Sequence, residues 1–187
     1  MKKKLLLHSC CGPCSTTAIT RLAEEYEVAV YYYNPNIYPE QEFVKRQNTQ
    51  KEFLQKYSPE IKLIEGEWEN VLYDEEIKGL EACKEGGKRC EACFLLRLSK
   101  TAKMAKSLNY DLFATTLTVS PHKNAPLINR LGENVAKQEG IEYLPSDFKK
   151  KDGYLQSIKM SQQYELYRQN YCGCKYSMCW LDSEDNK

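Results

Sequence analysis

The chain has 187 residues, 28% of them charged and 42% hydrophobic, with a formal net charge of +1. That length suits one α/β domain, and the composition excludes a collagen, a coiled coil and a disordered tail. No apolar run approaches the ~20 residues that span a bilayer, and Leu5 to Leu7 is too short for a secretory core, so a cytoplasmic protein without a membrane partner is expected.

Lys4 to Ser9 is an apolar run ending in small residues and reads as a first strand. It leads through Cys10-Cys11-Gly12-Pro13-Cys14 into a helix over Pro13 to Tyr26, where Pro13 suits a first helical position. Glu27 to Tyr33 is rich in β-branched and aromatic residues and is stopped by Asn34-Pro35-Asn36, the mark of a second strand. Gln41 to Tyr57 follows as a helix, Ile61 to Ile64 as a short strand, and Glu67 to Leu80 as a weaker helix. Glu85-Gly86-Gly87-Lys88 breaks the chain before a long helix from Cys90 to Leu108, whose Phe94, Leu95, Leu98, Ala102 and Ala105 make a core stripe. Asp111 to Thr118 reads as the fourth strand, Asn124 to Gln138 as a helix, Ile141 to Leu144 as the fifth strand, and Gly153 to about Arg168 as the last helix. Alternating strands and helices predict an open, mostly parallel sheet with helices on both faces, in a single domain over 1–181 with a polar tail over 182–187. Ligands of such sheets sit at the carboxyl ends of the strands, which is where Cys10, Cys11 and Ser120-Pro121-His122 fall.

Nine cysteines lie in three groups: Cys10, Cys11 and Cys14; Cys83, Cys90 and Cys93; Cys172, Cys174 and Cys179. In a reducing compartment such grouping reads as metal binding or redox chemistry. Cys90 and Cys93, three apart on a helix, share a face, and Lys88 and Arg89 beside them favour thiolates. Cys10, Cys11, Cys90 and Cys93 supply the four thiolates that either a tetrahedral zinc or a 4Fe-4S cluster needs. Cys172-Gly173-Cys174 is short for a relaxed disulfide, so a bridge there is strained and easily reduced, the alternative being two free loop thiols. The segment Cys11 to Cys14 also matches the CGPC motif of thioredoxins, which leaves a disulfide reductase using Cys11 and Cys14, and a zinc-stabilised RNA-binding module, as rival readings. Both rivals predict colourless protein.

Taken in order, HSCCGPC, YYYNPNIYP, CEACFLLRL with TAKMAKSLNYD, FATTLTVSPHKN and LYRQNYCGCKYS closely resemble the QueH epoxyqueuosine reductases, over His8 to Ser177. The resemblance implies a Rossmann-like fold related to the PP-loop (HUP) adenine-nucleotide-binding proteins, although the SGGxDS phosphate loop is replaced here by Ser9 and CCGPC. It implies a cytoplasmic enzyme that removes the epoxide oxygen of epoxyqueuosine in the tRNA anticodon loop, the last step of queuosine biosynthesis. It further implies a 4Fe-4S cluster on Cys10, Cys11, Cys90 and Cys93, a redox-active disulfide between Cys172 and Cys174, and for Cys14 a place beside the cluster or on an additional mononuclear iron or zinc ion. The partners implied are the tRNA and an electron donor. His122 is the candidate proton donor, with His8 a strand residue near the cluster. Tyr31 to Tyr33, Tyr38 and Tyr171 are candidates to stack on an extruded base. Arg46, Lys88, Arg89, Lys123, Arg130 and Arg168 are candidates to meet phosphates, beside the surface runs Lys2 to Lys4 and Lys149 to Lys151.

Overall fold

In the computed structural model, which describes residues 2–177, the run Lys4–Ser9 forms β1 and is buried from Leu5 onward. A continuous apolar run of this kind fits a central parallel strand covered on both faces. Strand periodicity then sends alternate side chains to opposite layers. Leu6, Ala29, Tyr31 and Phe113 point into one core, and Leu5, Leu7, Val28, Val30, Leu112 and Ala114 into the other. The remaining elements are α1 (Gly12–Leu22), β2 (Glu27–Tyr32), α2 (Glu40–Tyr57), β3 (Leu63–Glu65), α3 (Asn70–Glu76), α4 (Lys88–Ser107), β4 (Leu112–Thr115), α5 (Ala125–Glu139), β5 (Glu142–Tyr143) and α6 (Gly153–Gln163).

All five strands pair in parallel in the order β3-β2-β1-β4-β5. Residues of α4 and α5 fill one core, while α1 and α2 supply helical residues to the other. The expected doubly covered parallel sheet is therefore present. Strand order reverses between β1 and β4, whose register aligns Leu5 with Leu112 and His8 with Thr115. Chain connections leave in opposite directions there, opening a crevice at the carboxyl ends, and Cys10 is the first residue past β1.

Several boundaries differ from the sequence reading, for local reasons. The helix expected to Tyr26 stops at Leu22, whose carbonyl takes the N–H groups of both Glu25 and Tyr26 in a turn that feeds β2. Thr115 to Thr118 reads as strand because Thr is β-branched, yet β4 ends at Thr115. The Thr115 hydroxyl accepts the N–H of Leu117 and starts a 3-10 turn over Thr116–Val119, a side-chain bond that competes with the ladder. The last helix ends at Gln163 instead of Arg168, because Glu165 takes a left-handed φ of 54° and Leu166 closes back on the Ser161 carbonyl. The helix expected over Glu67 to Leu80 contracts to Asn70–Glu76, and the third strand begins at Leu63 instead of Ile61. Cys179, the expected domain end at residue 181 and the expected tail over 182–187 lie outside the described residues. No described helix is long and apolar enough to cross a membrane.

Candidate redox site

The turn from β1 to α1 sets out the first cysteine group. Cys11 precedes the helix with an extended backbone (φ −174°), Gly12 and Pro13 open α1, and the Cys10 N–H bonds the Thr116 hydroxyl across the crevice at 3.0 Å. Gly12 is needed for proximity, since a Cβ there would sit 3.0 Å from the Thr49 methyl and 3.1 Å from its carbonyl oxygen. The sulfurs of Cys10, Cys11 and Cys14 all lie within 4.8 Å of one another, with 3.9 Å between Cys10 and Cys11. The Cys11 and Cys14 thiols bond to Cys10 and, with the charges of Lys123 and Arg97, hold its pKa well below the ordinary thiol range. The Thr116 hydroxyl donates to the same sulfur at 3.3 Å. Cys11, bonded to Cys10, is pushed up to about 11, and Cys14 is raised for the same reason. Three close sulfurs, one already favoured as thiolate, form a donor set for a soft metal.

Helix α4 supplies the second group. Phe94, Leu98, Ala102 and Ala105 pack into the core of the sheet, which leaves Cys90, Cys93 and Arg97 on the helix flank that faces the crevice. The Gly86 N–H donates to Cys90 Sγ at 3.3 Å. Burial raises Cys90 and pushes Cys93 up to about 12, so a metal binding here would displace protons. Arg97 is buried among these groups: its guanidinium reaches Cys93 Sγ at 4.0 Å and donates to Asn34 Oδ1, while Asn34 Nδ2 donates to the Ser9 carbonyl at 2.9 Å. Burial works against this charge, but the Cys93, Cys10 and Cys172 sulfurs more than offset it and raise the Arg97 pKa. Arg97 thus links the first two groups electrostatically. It escaped the sequence reading because it interrupts an apolar stripe, although its place four residues after Cys93 on one helix is a usable signal.

The third group is held by its backbone. Arg46, 2% exposed and paired with Glu42 at 2.6 Å, donates to the carbonyls of Cys172 at 3.0 Å and Tyr171 at 3.4 Å. Gly173 has φ 101°, a conformation that glycine adopts freely, and a Cβ there would lie 2.8 Å from Arg46 Nη1. The Tyr38 N–H bonds the Gly173 carbonyl at 2.8 Å, and Ile37 pairs with Cys174 as an isolated antiparallel bridge. Cys172 and Cys174 are both free thiols here, with the Tyr73 hydroxyl 3.0 Å from Cys174 Sγ.

All three groups border one space. A cavity of about 660 Å³ is lined by Cys10, Cys14 and Cys172, and a smaller one of about 80 Å³ by Cys90, Cys93, Cys172 and Cys174. Cys172, His122, Lys123, Gly86, Glu85 and Ser177 belong to both, so the two adjoin. Cys83 lines neither, and its carbonyl takes a bond from Arg89. The larger cavity is cationic: besides Arg46, which Glu42 pairs, Arg97, Lys123 and Arg168 stand against the one lining carboxylate, Glu85.

The other expected residues divide. His122 is exposed, lines both cavities and has its N–H on the Ser120 hydroxyl at 3.3 Å. His8 meets no sulfur hydrogen bond. Its Nε2 lies 3.0 Å from the Tyr33 carbonyl and 3.4 Å from Arg97 Nε, and its Nδ1 lies 2.8 Å from the Thr115 hydroxyl. Burial, reinforced by Arg97, lowers its pKa to about 3 and keeps it neutral. Tyr31, Tyr32 and Tyr33 are buried, so they are core residues and not a stacking platform; Tyr171 lines the larger cavity, as does Tyr154, which sequence reasoning missed. Arg46 and Arg89 are buried on backbone carbonyls and do not offer themselves to phosphates, whereas Lys123 and Arg168 remain at the cavity.

A family profile described as "Epoxyqueuosine reductase QueH" matches residues 5–179. The chain is 43% identical over 182 residues to the epoxyqueuosine reductase QueH of Staphylococcus epidermidis, covering 94% of this chain and 76% of that one. It is 40% identical over 181 residues to the QueH of Streptococcus pyogenes serotype M1, covering 95% and 71%. Among solved structures, the zinc-inhibited form of teicoplanin deacetylase Orf2 superposes with a TM-score of 0.50 at 12% identity, covering 87% of this chain and 84% of that chain, a likeness of fold alone.

Proposed function

The chain belongs to the epoxyqueuosine reductase QueH family, and we propose that its cysteine-lined cavity is where the epoxide of epoxyqueuosine, carried on a tRNA anticodon loop in the cytoplasm, is reduced to the alkene of queuosine. The enzyme is an oxidoreductase of queuosine biosynthesis. The observation that carries the reading is the meeting of three cysteine groups, far apart in sequence, around two adjoining cavities at the strand-order reversal, the larger of them cationic.

Cys10, Cys11, Cys90 and Cys93 would hold a 4Fe-4S cluster, and Cys14 an additional iron or zinc ion, the donor chemistry of the three close sulfurs fitting soft metals. When bound, such centres supply low-potential electrons and Lewis acidity at the epoxide. The chain's own residues do the rest. Conversion of the epoxide to an alkene and water consumes two electrons and two protons. Oxidation of the Cys172/Cys174 dithiol to a disulfide releases two electrons and two protons, so one cycle of this pair balances one turnover. A separate electron donor restores the dithiol. His122, which lines both cavities, would deliver a proton to the departing oxygen. Lys123 and Arg168 supply positive charge for the nucleotide phosphates, and Tyr154 and Tyr171 supply faces for an extruded base.

The test is anaerobic incubation of iron-loaded protein with tRNA carrying epoxyqueuosine and a low-potential reductant, followed by nucleoside digestion and mass analysis. The wild type should yield queuosine, one oxygen lighter. Cys172→Ser should keep its iron and lose multiple turnover. Unchanged tRNA after incubation with wild type contradicts the function, and full turnover by Cys172→Ser contradicts the dithiol relay.

A further inference from the structure

Buried side-chain oxygens without a hydrogen-bond donor are rare in folded proteins, because leaving one unpaired costs about 1–3 kcal/mol. Two of those found among the described residues belong to side chains of the larger cavity's lining: Asn36 Oδ1 and Gln169 Oε1. Asn36 is 1% exposed, so bulk water does not serve its oxygen. Both atoms are carbonyl acceptors and call for O–H or N–H groups on whatever fills the cavity.

Their place tells which part of a ligand they meet. Asn36 lies between two residues tied to the cysteine groups: Asn34 bonds the Ser9 carbonyl beside Cys10, and Ile37 pairs with Cys174. Gln169 lines the same cavity as Cys10, Cys14 and Cys172. Tyr154, Tyr171 and Arg168, which suit a nucleotide, are half-buried or exposed, whereas Asn36 is buried. A substrate reduced at the cysteines must bring its epoxide-bearing ring to that end. In epoxyqueuosine this ring is a cyclopentane with two vicinal hydroxyls, which are O–H donors, next to the epoxide.

We propose that Asn36, assisted by Gln169, is a specificity-determining residue that accepts hydrogen bonds from the vicinal hydroxyls of the cyclopentane ring and so fixes the epoxide against the cysteines. This rests on the epoxyqueuosine reductase reading. A site built to bond a hydroxyl rejects the analogue that lacks it, since its own polar groups are then left unpaired. Asn36 therefore discriminates a tRNA bearing the complete ring from one bearing only the 7-aminomethyl-7-deazaguanine.

The experiment compares affinities of iron-loaded protein for two purified tRNAs, one carrying queuosine, which keeps the diol, and one carrying the ring-less aminomethyl base. Wild type should prefer the first. Asn36→Leu, similar in size but without an acceptor, should lose roughly 10-fold or more of affinity for the diol tRNA while binding the ring-less tRNA as wild type does. Asn36→Asp, which keeps acceptor oxygens, should retain most of the preference. Equal weakening toward both tRNAs, or no weakening toward either, overturns the proposal. Conversion of epoxyqueuosine tRNA by wild type is measured alongside. If that conversion fails, the function itself is wrong; if it succeeds and Asn36→Leu still prefers the diol tRNA as wild type does, only the role of Asn36 falls.

Discussion

At the scale of single residues, position in the cavity depends on groups that are not themselves reactive. Gly173 shows this most plainly. Its φ of 101° and the 2.8 Å that would separate a Cβ from Arg46 Nη1 make any side chain strained and crowded. Gly173→Ala should leave iron loading intact yet lower the turnover of epoxyqueuosine tRNA by about 10- to 100-fold, because displacements near 1 Å carry costs of that order. An unchanged initial rate would show that placement of Cys172 and Cys174 does not limit the reaction. The CGC segment was visible as a redox candidate from the one-residue spacing of its thiols. Its clamp was not, since Arg46 is 126 residues from Cys172 and nothing local in the sequence joins them. Arg89 taught the reverse lesson: beside Lys88 it looked like half of a basic patch, whereas it is 3% exposed and bonds the Glu81 and Cys83 carbonyls, ordering the approach to α4.

Among the elements, α4 and α5 do different work on the same face of the sheet. Helix α4 carries Cys90, Cys93 and Arg97 on one flank and a core stripe on the other; helical spacing made the two cysteines and Phe94, Leu98, Ala102 and Ala105 legible, but not Arg97, and Leu95, expected in the stripe, is 40% exposed. Helix α5 is a packing element whose start is capped by the Asn124 side chain on the Leu127 N–H at 3.0 Å and whose end is Gly140 at φ 67°. Within it Gly132 lies flat against the Tyr143 ring of β5, which in turn packs on Phe113 with ring centroids 5.0 Å apart. Gly132→Ala should gain helix propensity yet destabilise the protein by about 1–3 kcal/mol through overpacking, read as a lower denaturant midpoint. A midpoint at or above that of wild type would mean that β5 yields readily. Strand β5 is only Glu142–Tyr143, so its pairing depends on such side-chain contacts more than on its ladder. That shortness is why its boundaries were poorly fixed by pattern alone. The threonine run after β4 was misread for a different reason, a hydroxyl that starts a turn where β-branching favours a strand.

For the whole molecule, a net charge of +1 conceals a positive interior wall. The lysine runs that stand out in the sequence are partly neutralised at the surface: Lys3 pairs with Glu142 at 2.7 Å, and Lys149 and Lys150 with Asp147 at 3.7 and 3.6 Å. The cavity instead gathers Arg97, Lys123 and Arg168 from three separate stretches of chain, beside the Glu42-paired Arg46. Strand and helix alternation was enough to expect a parallel sheet with its ligands at one edge, but only the order β3-β2-β1-β4-β5 puts the reversal beside Cys10. The central claim is that cysteines from three distant stretches build one redox centre. Its most direct test is the iron and acid-labile sulfide content of anaerobically purified protein, wild type beside Cys10→Ala and Cys93→Ala. The account predicts about four of each per chain in wild type, with any additional iron on top, and loss of the cluster in both variants. Zinc without sulfide in wild type, or a full cluster in Cys93→Ala, would contradict it.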